Sequence, residues 1–160
     1  MDKPKRERSR GLKENVINEN LKNVDNYLGT FALDELESLK VCQFPSYAVI
    51  NLDKRSGGGN HWIAIALYIN DVFICDSLGT VLPDNTFPTQ LVNFLYICSY
   101  MKKIHITKRL QQKKSATCGL YCIEFIHDMS VHHNIDYFLS SFSTNYKQND
   151  QRIKFLTETI

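Results

Sequence analysis

The segment that most constrains the fold starts at Cys118 and reads CGLYCIEFIHDM. It follows a polar, basic loop, Lys108 to Thr117, and turns apolar at once. A helix that starts hydrophobic on nearly all sides belongs in the middle of a core. We therefore predict a central, buried helix that begins at Cys118.

Apolar segments upstream of this helix predict a β-sheet. Tyr47 to Leu52 is rich in β-branched and aromatic residues, which favours a strand. The segments His61 to Ile69 and Val72 to Cys75 are separated by Asn-Asp, and this arrangement predicts a hairpin whose two faces are both largely covered. The hairpin is the expected centre of the sheet.

Within this hairpin, His61 and Asp76 are expected to point to the same side, because side chains alternate with a period of two along each strand. A two-residue turn at Asn70-Asp71 would pair Leu67 with Ile74 and leave His61 well beyond Asp76. A bulge, a wider turn or a curled entering loop is therefore needed to bring the two side chains together.

Helical spacing of apolar residues predicts four further helices, and one further short strand is expected. The first helix carries apolar positions from Leu12 to Leu28, and Gly29 is expected to end it. The second helix starts near Pro88, and its predicted buried stripe consists of Leu91, Phe94, Leu95, Cys98 and Met101. The other elements are a strand over Lys103 to Thr107 and helices over Ile135 to Phe142 and Asp150 to Leu156.

A chain of 160 residues is long enough for one core and too short for two. We predict a flexible basic tail over residues 1–11 and a single domain over residues 12–160. The expected fold class is α+β, with a central mixed sheet flanked by helices.

The longest apolar run, Trp62 to Ile69, falls far short of the roughly 20 residues of a membrane-spanning helix. The charged first ten residues lack the apolar core of a secretion signal.

Basic residues crowd one stretch of the chain although the net charge is only +2. Such a local positive field is able to hold nucleic acid or an acidic peptide, and a solvated basic face explains it equally well. The residues that we select as a candidate DNA contact are Lys102, Lys103, Lys108, Arg109, Lys113 and Lys114.

Cys118 is the first candidate for chemistry. At the first turn of a buried helix it feels the positive end of the helix dipole and unpaired backbone N–H groups, which favour the thiolate. Five cysteines, an odd number in a chain without an evident secretion signal, indicate free thiols. The alternative is a small apolar residue at the start of a core helix, which is how most buried cysteines behave.

The loop before Cys118 carries amide and hydroxyl donors of the kind that a tetrahedral oxyanion requires. Gln111, Ser115 and Thr117 lie in this loop. Gln111 is suitably placed, and the alternative for it, or for its neighbour Gln112, is an ordinary surface residue.

His61 and Asp76 complete a possible triad. An ionised Asp76 that accepts a hydrogen bond from Nδ1–H of His61 would fix the tautomer and leave Nε2 to take the cysteine proton. On the residues alone, a single histidine and a single aspartate on a sheet are more often structural.

The order and wording of these segments resemble the adenovirus endopeptidases and the related proteases of adenovirus-like viruses and virus-like DNA transposons. The resemblance spans about Asn26 to Leu156, and the segments that carry it are NYLGT from Asn26, GNHWIAIA from Gly59, CDSLG from Cys75, LQQKKSATCGLYC from Leu110 and DQRIKFL from Asp150. It implies His61 as base, Asp76 as its orienting acid, Gln111 as oxyanion donor and Cys118 as nucleophile. It further implies that Trp62 packs under the site.

The same resemblance implies a cysteine endopeptidase that cleaves viral capsid or core precursors after glycine-containing motifs during virion maturation. The chemistry requires no cofactor, whereas a short activating peptide and DNA are implied as partners, with Cys98 the nearest thiol to the position that would pair with the peptide. The enzyme would be a monomer in the virion or in the host nucleus or cytoplasm, neither secreted nor bound to a membrane.

Three alternatives stay open. A ubiquitin-like-protein deconjugating protease would share the fold, the triad and the glycine preference. A basic, nucleic-acid-binding structural protein would use only the positive stretch. A metal site built from Cys118, Cys122 and His127 would supply only part of a tetrahedral ligand set.

Overall fold

The computed structural model of the protein describes residues 11–79, 87–98 and 102–160. Apart from Gly11, the predicted basic tail lies outside the described residues. Most of the predicted loop between Gly79 and Phe87 lies outside them too, and so does Met101 of the predicted helical stripe.

A mixed sheet of five strands follows the order of the chain, β1-β2-β3-β4-β5. The outer pairs, β1 with β2 and β4 with β5, are parallel, and the pairs involving β3 are antiparallel. The strands are β1 Tyr27–Ala32, β2 Ser46–Asn51, β3 Trp62–Leu67, β4 Asp71–Cys75 and β5 Lys103–Ile106. The helices are α1 Glu14–Leu21, α2 Thr89–Cys98, α3 Cys118–His132, α4 Ile135–Leu139 and α5 Tyr146–Leu156, with a 3₁₀ helix over Leu33–Ser38.

The helix α3 is the central element, as its sequence predicted. Tyr121, Phe125 and Met129 on this helix are fully buried, and they pack against the face of the sheet that carries Ala64 and Ala66. Because alanine side chains are short, the helix axis can lie close to β3. The α+β class and the buried helix are therefore both confirmed.

The opposite face of the sheet packs against α2 and the 3₁₀ helix. Its strand residues include Ile63, Ile65 and Ile74, which are fully buried. The predicted stripe of α2 is confirmed at the residues described: Leu91, Phe94 and Leu95 are buried, and Cys98 is half-buried. The central strands are thus covered on both faces.

The register of the β3–β4 hairpin determines how close His61 comes to Asp76. Leu67 pairs with Val72, and Ala64 pairs with Cys75. The two-residue turn does not lie at Asn70-Asp71, so the Leu67–Ile74 pair is not formed. A turn of the same length lies one residue earlier, at Ile69-Asn70, where the N–H of Tyr68 donates to the carbonyl of Asp71 at 2.9 Å. The earlier turn shifts the pairing of β4 by two residues and brings Asp76 closer to the end of the hairpin where His61 enters.

The prediction of one long N-terminal helix was wrong. The helix α1 ends at Leu21, and the chain turns before Asn26, whose φ is 60°. Leu28 and Gly29 lie in β1, so Gly29, with φ 123°, does not end a helix. Val24 lies in the turn after α1, and its side chain packs against the same core as the helix. Its position therefore matches the helical spacing although it is not part of the helix.

Three smaller differences concern the ends of elements. The helix α5 starts at Tyr146 rather than Asp150, because the Asn145 side chain accepts a hydrogen bond from the N–H of Gln148 at 3.0 Å and so caps the helix earlier. The helix α4 ends at Leu139, three residues earlier than predicted. The 3₁₀ helix over Leu33–Ser38 was not predicted.

Candidate active site

Cys118 is the first residue of α3, and only 8% of it is exposed. Burial alone would raise the pKa of its thiol. A hydrogen bond and the charge of His61, together with the backbone N–H groups of Trp62 and Gly119, offset burial and lower that pKa. The site therefore favours a thiolate at the start of the central helix.

His61 and Asp76 lie at neighbouring strand ends and form a buried pair. Nε2 of His61 lies 2.8 Å from Oδ1 of Asp76, and the two side chains are 2% and 0% exposed. The prediction that Asp76 would take Nδ1 was wrong. Because Nε2 is bonded to the carboxylate, Nδ1 is the ring nitrogen that is left to interact with the Cys118 sulfur. Nδ1 has no nitrogen or oxygen partner within the described parts of the chain.

The protonation of His61 follows from these two neighbours. Burial by itself would lower the pKa of the imidazole, whereas the hydrogen bonds and charges of Asp76 and Cys118 raise it, with the net effect that the pKa lies at about 9. The lowered pKa of Cys118 and the raised pKa of His61 describe one arrangement, a thiolate beside an imidazolium. Such a pair is a nucleophile and a proton donor in contact.

Backbone hydrogen bonds fix the entry of His61 into β3. Its carbonyl accepts from the N–H of Leu52 at 2.9 Å. The preceding N–H, of Asn60, donates to the side-chain oxygen of Asn51 at 3.0 Å. Gly59 adopts φ 80°, a left-handed conformation that glycine takes without strain. The glycine-rich loop thus delivers the imidazole at a defined place on the rim of the sheet.

Asp76 is held from the opposite side by the segment after β5. Its backbone N–H donates to the hydroxyl of Thr107 at 3.0 Å. The next carbonyl, of Ser77, accepts from the N–H groups of Leu110 and Gln111 at 2.8 and 3.0 Å. These bonds tie the strand end that bears the acid to the loop that leads to Cys118.

Gln111 is fully buried and is not a surface residue. Its Oε1 accepts a hydrogen bond from the hydroxyl of Ser77. Its Nε2 donates to the carbonyl and the hydroxyl of Ser115 at 3.1 and 3.2 Å. Gln112 is exposed, and its amide donates to Asp150 at 3.2 Å. Of the two glutamines, Gln111 is thus the one bonded to Ser77, the neighbour of the acid.

Trp62 follows His61 and is half-buried in the core cluster that contains α3. Its indole N–H donates to the carbonyl of Leu12 at 2.9 Å. A side chain on Gly119, the residue after Cys118, would meet Cβ of Leu12 at 3.1 Å. The start of the described chain therefore packs directly beside the start of α3.

The candidate DNA residues do not all present a free charge. Nζ of Lys102 lies 3.7 Å from the centre of the Phe44 ring. The guanidinium of Arg109 lies 4.2 Å from the centre of the Tyr146 ring, and its Nε donates to the carbonyl of Gln111 at 2.9 Å. The remaining four of the set are exposed: Lys103, Lys108, Lys113 and Lys114.

Asp150 was missed as a site residue, although it belongs to a segment quoted for the resemblance. It is 3% exposed, and its carboxylate binds the loop before Cys118. One signal was available: Asp150 shares the helical spacing of Ile153 and Thr157, so a carboxylate occupies the buried stripe of an otherwise polar helix.

Two further features of the described residues bear on the class of protein. No group of three or more histidine, cysteine or acidic side chains within them could hold a metal ion, and the Nε2 of His127 instead contacts the carbonyl of Asn20 at 3.0 Å. None of their helices combines the length and the apolar character needed to cross a membrane.

A low-pKa cysteine at the start of a buried helix, interacting with a histidine–aspartate pair from adjacent strand ends, is the arrangement that cysteine peptidases use. A family model described as "Adenovirus endoprotease" matches residues 27–152, most of the chain. The chain belongs to the adenovirus endoprotease family. A comparison with curated proteins found no match.

Solved structures of low sequence identity share the fold. The ASFV pS273R protease is 16% identical with a TM-score of 0.59, and the alignment covers 90% of this chain but only 66% of that one. The SUMO protease Ulp1 is 15% identical with a TM-score of 0.51, over 92% of this chain and 75% of the other. The central domain of Lpg1148, an uncharacterized protein from Legionella pneumophila, is 14% identical with a TM-score of 0.53, over 94% and 96%.

Proposed function

We propose that the protein is a cysteine endopeptidase in which Cys118 is the nucleophile, His61 the general acid and base, and Asp76 the group that orients the imidazole. The observation that carries the proposal is the position of His61, which is bonded to Asp76 through one ring nitrogen and interacts with the sulfur on its other side. Within the proposal, residues 12–160 act as one catalytic domain and residues 1–11 as a flexible basic tail.

The proposed reaction is acyl transfer to water through a thioester. The thiolate adds to the scissile carbonyl carbon, and the N–H of Cys118 and an amide hydrogen of Gln111 bind the oxyanion. Nδ1–H of His61 then protonates the leaving amine as the C–N bond breaks. Water, deprotonated by the now neutral imidazole, adds to the thioester, and the thiolate leaves with the carboxylic acid product released.

The proposal is tested by alkylation and by one substitution. Iodoacetamide at mildly acidic pH should modify Cys118 of the folded protein, while the exposed Cys42 serves as the internal comparison. Cys118→Ala should abolish cleavage of a glycine-containing peptide and leave the thermal unfolding curve close to that of the wild type. Labelling of Cys42 with Cys118 untouched would contradict the proposal.

We propose viral capsid or core precursors as substrates, cleaved after glycine-containing motifs during virion maturation. Membership of the adenovirus endoprotease family supports this choice. The alternative is removal of ubiquitin-like modifiers, since Ulp1, a SUMO protease, has the same fold. Short glycine-containing peptides and fluorogenic ubiquitin-like substrates, compared at equal concentration, separate the two. Faster turnover of the ubiquitin-like substrates would favour the alternative.

We propose that a monomer acts in the virion or in the host nucleus or cytoplasm and that DNA and a short peptide activate it. The four exposed lysines of the candidate DNA set support the contact with DNA. Replacing Lys108, Lys113 and Lys114 by glutamine should lower DNA affinity and leave peptide cleavage without DNA unchanged. DNA binding by a wild-type protein that cleaves no peptide would favour the alternative of a nucleic-acid-binding structural protein.

A further inference from the structure

Asp150 on α5 forms an unusually concentrated set of hydrogen bonds with the segment that surrounds Cys118. Oδ1 accepts from the hydroxyls of Thr117 and Tyr121 at 3.0 and 2.9 Å. Oδ2 accepts from the backbone N–H and the side-chain amide of Gln112 at 3.1 and 3.2 Å. All these donors lie between six residues before Cys118 and three residues after it.

The residue next to Asp150 secures the beginning of the same loop. Nδ2 of Asn149 donates to the carbonyl of Leu110 at 3.0 Å and to that of Ser143 at 2.8 Å. Its Oδ1 accepts from the N–H of Ser143 at 2.8 Å. Two consecutive buried polar side chains of α5 therefore hold both ends of the loop that carries Gln111.

A continuous chain of hydrogen bonds leads from Asp150 to Gln111. The hydroxyl of Thr117, bonded to Asp150, lies 2.7 Å from the hydroxyl of Ser115. The hydroxyl of Ser115 lies 3.2 Å from Nε2 of Gln111. On its other side, the oxygen of the Gln111 amide accepts from Ser77, next to the acid Asp76.

The direction of this chain is determined at the Asp150 end. A carboxylate only accepts, so the single hydroxyl hydrogen of Thr117 is used on Asp150. The Thr117 oxygen must then accept from Ser115, and the Ser115 oxygen must accept from the amide of Gln111. This sequence of donors acts together with the Ser115 carbonyl, which accepts from Nε2 of Gln111 at 3.1 Å, to keep the NH₂ group of Gln111, rather than its oxygen, on the side of Ser115.

We propose that Asp150 is a positioning residue that orients the Gln111 amide and holds the Cys118 loop in place before substrate arrives. The inference rests on the function proposed above, because the oriented amide is the oxyanion donor of that reaction. Asp150 itself contacts neither the sulfur nor the imidazole.

Asp150→Asn tests the proposal because it keeps the shape of the side chain and adds donors where four donors already converge. Its NH₂ group can donate to Thr117 and reverse the chain, so that the hydroxyl hydrogen of Ser115 points at the Gln111 amide and opposes the orientation that the Ser115 carbonyl favours. We expect kcat to fall by about 100-fold, with KM little changed. Inhibition by a peptide aldehyde, which forms a tetrahedral adduct, should weaken in parallel. The rate of Cys118 alkylation by iodoacetamide should be unchanged, because His61 and Asp76 are untouched.

Thr117→Val and Tyr121→Phe form a matched pair that decides the matter even if Asp150→Asn does not fold. Each removes one hydroxyl that donates to the same oxygen of Asp150, and only Thr117 continues to Ser115 and Gln111. Thr117→Val should lower kcat by roughly tenfold, and Tyr121→Phe should not.

Equal effects of the two substitutions, or loss of alkylation in step with kcat, would overturn the proposal and leave Asp150 a purely structural residue. A wild-type protein whose Cys118 resists alkylation and which cleaves no peptide would contradict the proposed function itself, and the inference about Asp150 with it.

Discussion

Asp76 holds His61 by Nε2, at 2.8 Å, on the side of the ring away from the sulfur. In Asp76→Asn the side-chain oxygen can still accept from Nε2–H, so the tautomer is retained and the negative charge is lost. We expect kcat to fall on the order of 100-fold, while Cys118 still reacts with iodoacetamide, at a higher pH than in the wild type. Loss of alkylation at every pH would show that Asp76 is needed for the fold rather than for the orientation of the His61 imidazole.

The second histidine–aspartate pair of the sheet is a matched control for that substitution. Oδ1 of Asp71 lies 2.8 Å from Nε2 of His105. This pair lies at the other end of β4, and both side chains are partly exposed. Asp71→Asn should therefore leave kcat unchanged. A similar loss in both variants would indicate a general effect on the sheet.

The pH dependence of cleavage should report a pair of coupled ionisations. The pKa of Cys118 is lowered, so the thiolate, and with it the activity, appears at a pH below that at which ordinary thiols ionise. The pKa of His61 lies at about 9, so the imidazolium, and with it the activity, is lost as the pH rises through that value. A plot of kcat/KM against pH should be bell-shaped with its alkaline limb near 9. An activity that only begins to rise above pH 8 would contradict the thiolate–imidazolium pair.

Substitution of the two adjacent glutamines distinguishes the oxyanion donor. Gln111→Ala should lower kcat by about 100- to 1000-fold with alkylation of Cys118 retained, because a donor to the tetrahedral intermediate is lost. Gln112→Ala keeps its backbone N–H on Asp150 and should cause a clearly smaller loss. Steady-state kinetics on one peptide measures both. The opposite ranking would identify Gln112 as the donor.

Gly79 provides a test of backbone geometry near the site. Its φ is 62°, and an added Cβ would lie 2.9 Å from Cβ of Arg109, so Gly79→Ala should lower the free energy of unfolding by about 1–2 kcal/mol. Gly58→Ala is the control, since nothing lies within 4 Å of the added atom. Urea unfolding monitored by circular dichroism measures the difference. Equal stability of the two variants would contradict the close approach to Arg109.

Glu124 on α3 should make the protein less stable at alkaline pH. Burial, and then the charge of Asp128, raise the pKa of Glu124 to about 7. A carboxyl group with a raised pKa in the folded state costs stability as the pH rises from about 4.5 to 7. Glu124→Gln should therefore raise the melting temperature at pH 8 and change it little at pH 4. The positive charge of Arg152 favours the ionised form of Glu124. A fall in melting temperature at pH 8 would show that this attraction outweighs the cost of burying the charge.

The sequence predicted the parts of the fold that have a clear period. The hairpin, β2 and α3 follow from the alternation and the continuous apolar character of their residues, which is why the sequence alone indicates His61, Asp76 and Cys118 as candidates. The helix α1 was overextended because Val24 and Leu28 continue its spacing by coincidence, one from a turn and the other from a strand.

Contacts between distant segments could not be predicted. The choice of Nε2 over Nδ1 depends on the position of the turn between Tyr68 and Asp71 and on the angle at which the loop enters β3, neither of which has a sequence signal. The bonds from Asp150 to Gln112 and Thr117 join residues more than thirty positions apart. Their geometry depends on how α5 packs, which a single sequence does not encode in any local pattern.

The order of the strands along the chain has a consequence for synthesis. His61 and Asp76 are translated before Cys118, and Asp150 comes later still. A nascent chain on the ribosome therefore presents the proposed base and orienting acid before the proposed nucleophile, and the proposed nucleophile before the helix that holds its loop. The proposed active site is thus incomplete until α5 has emerged and packed against the loop before Cys118.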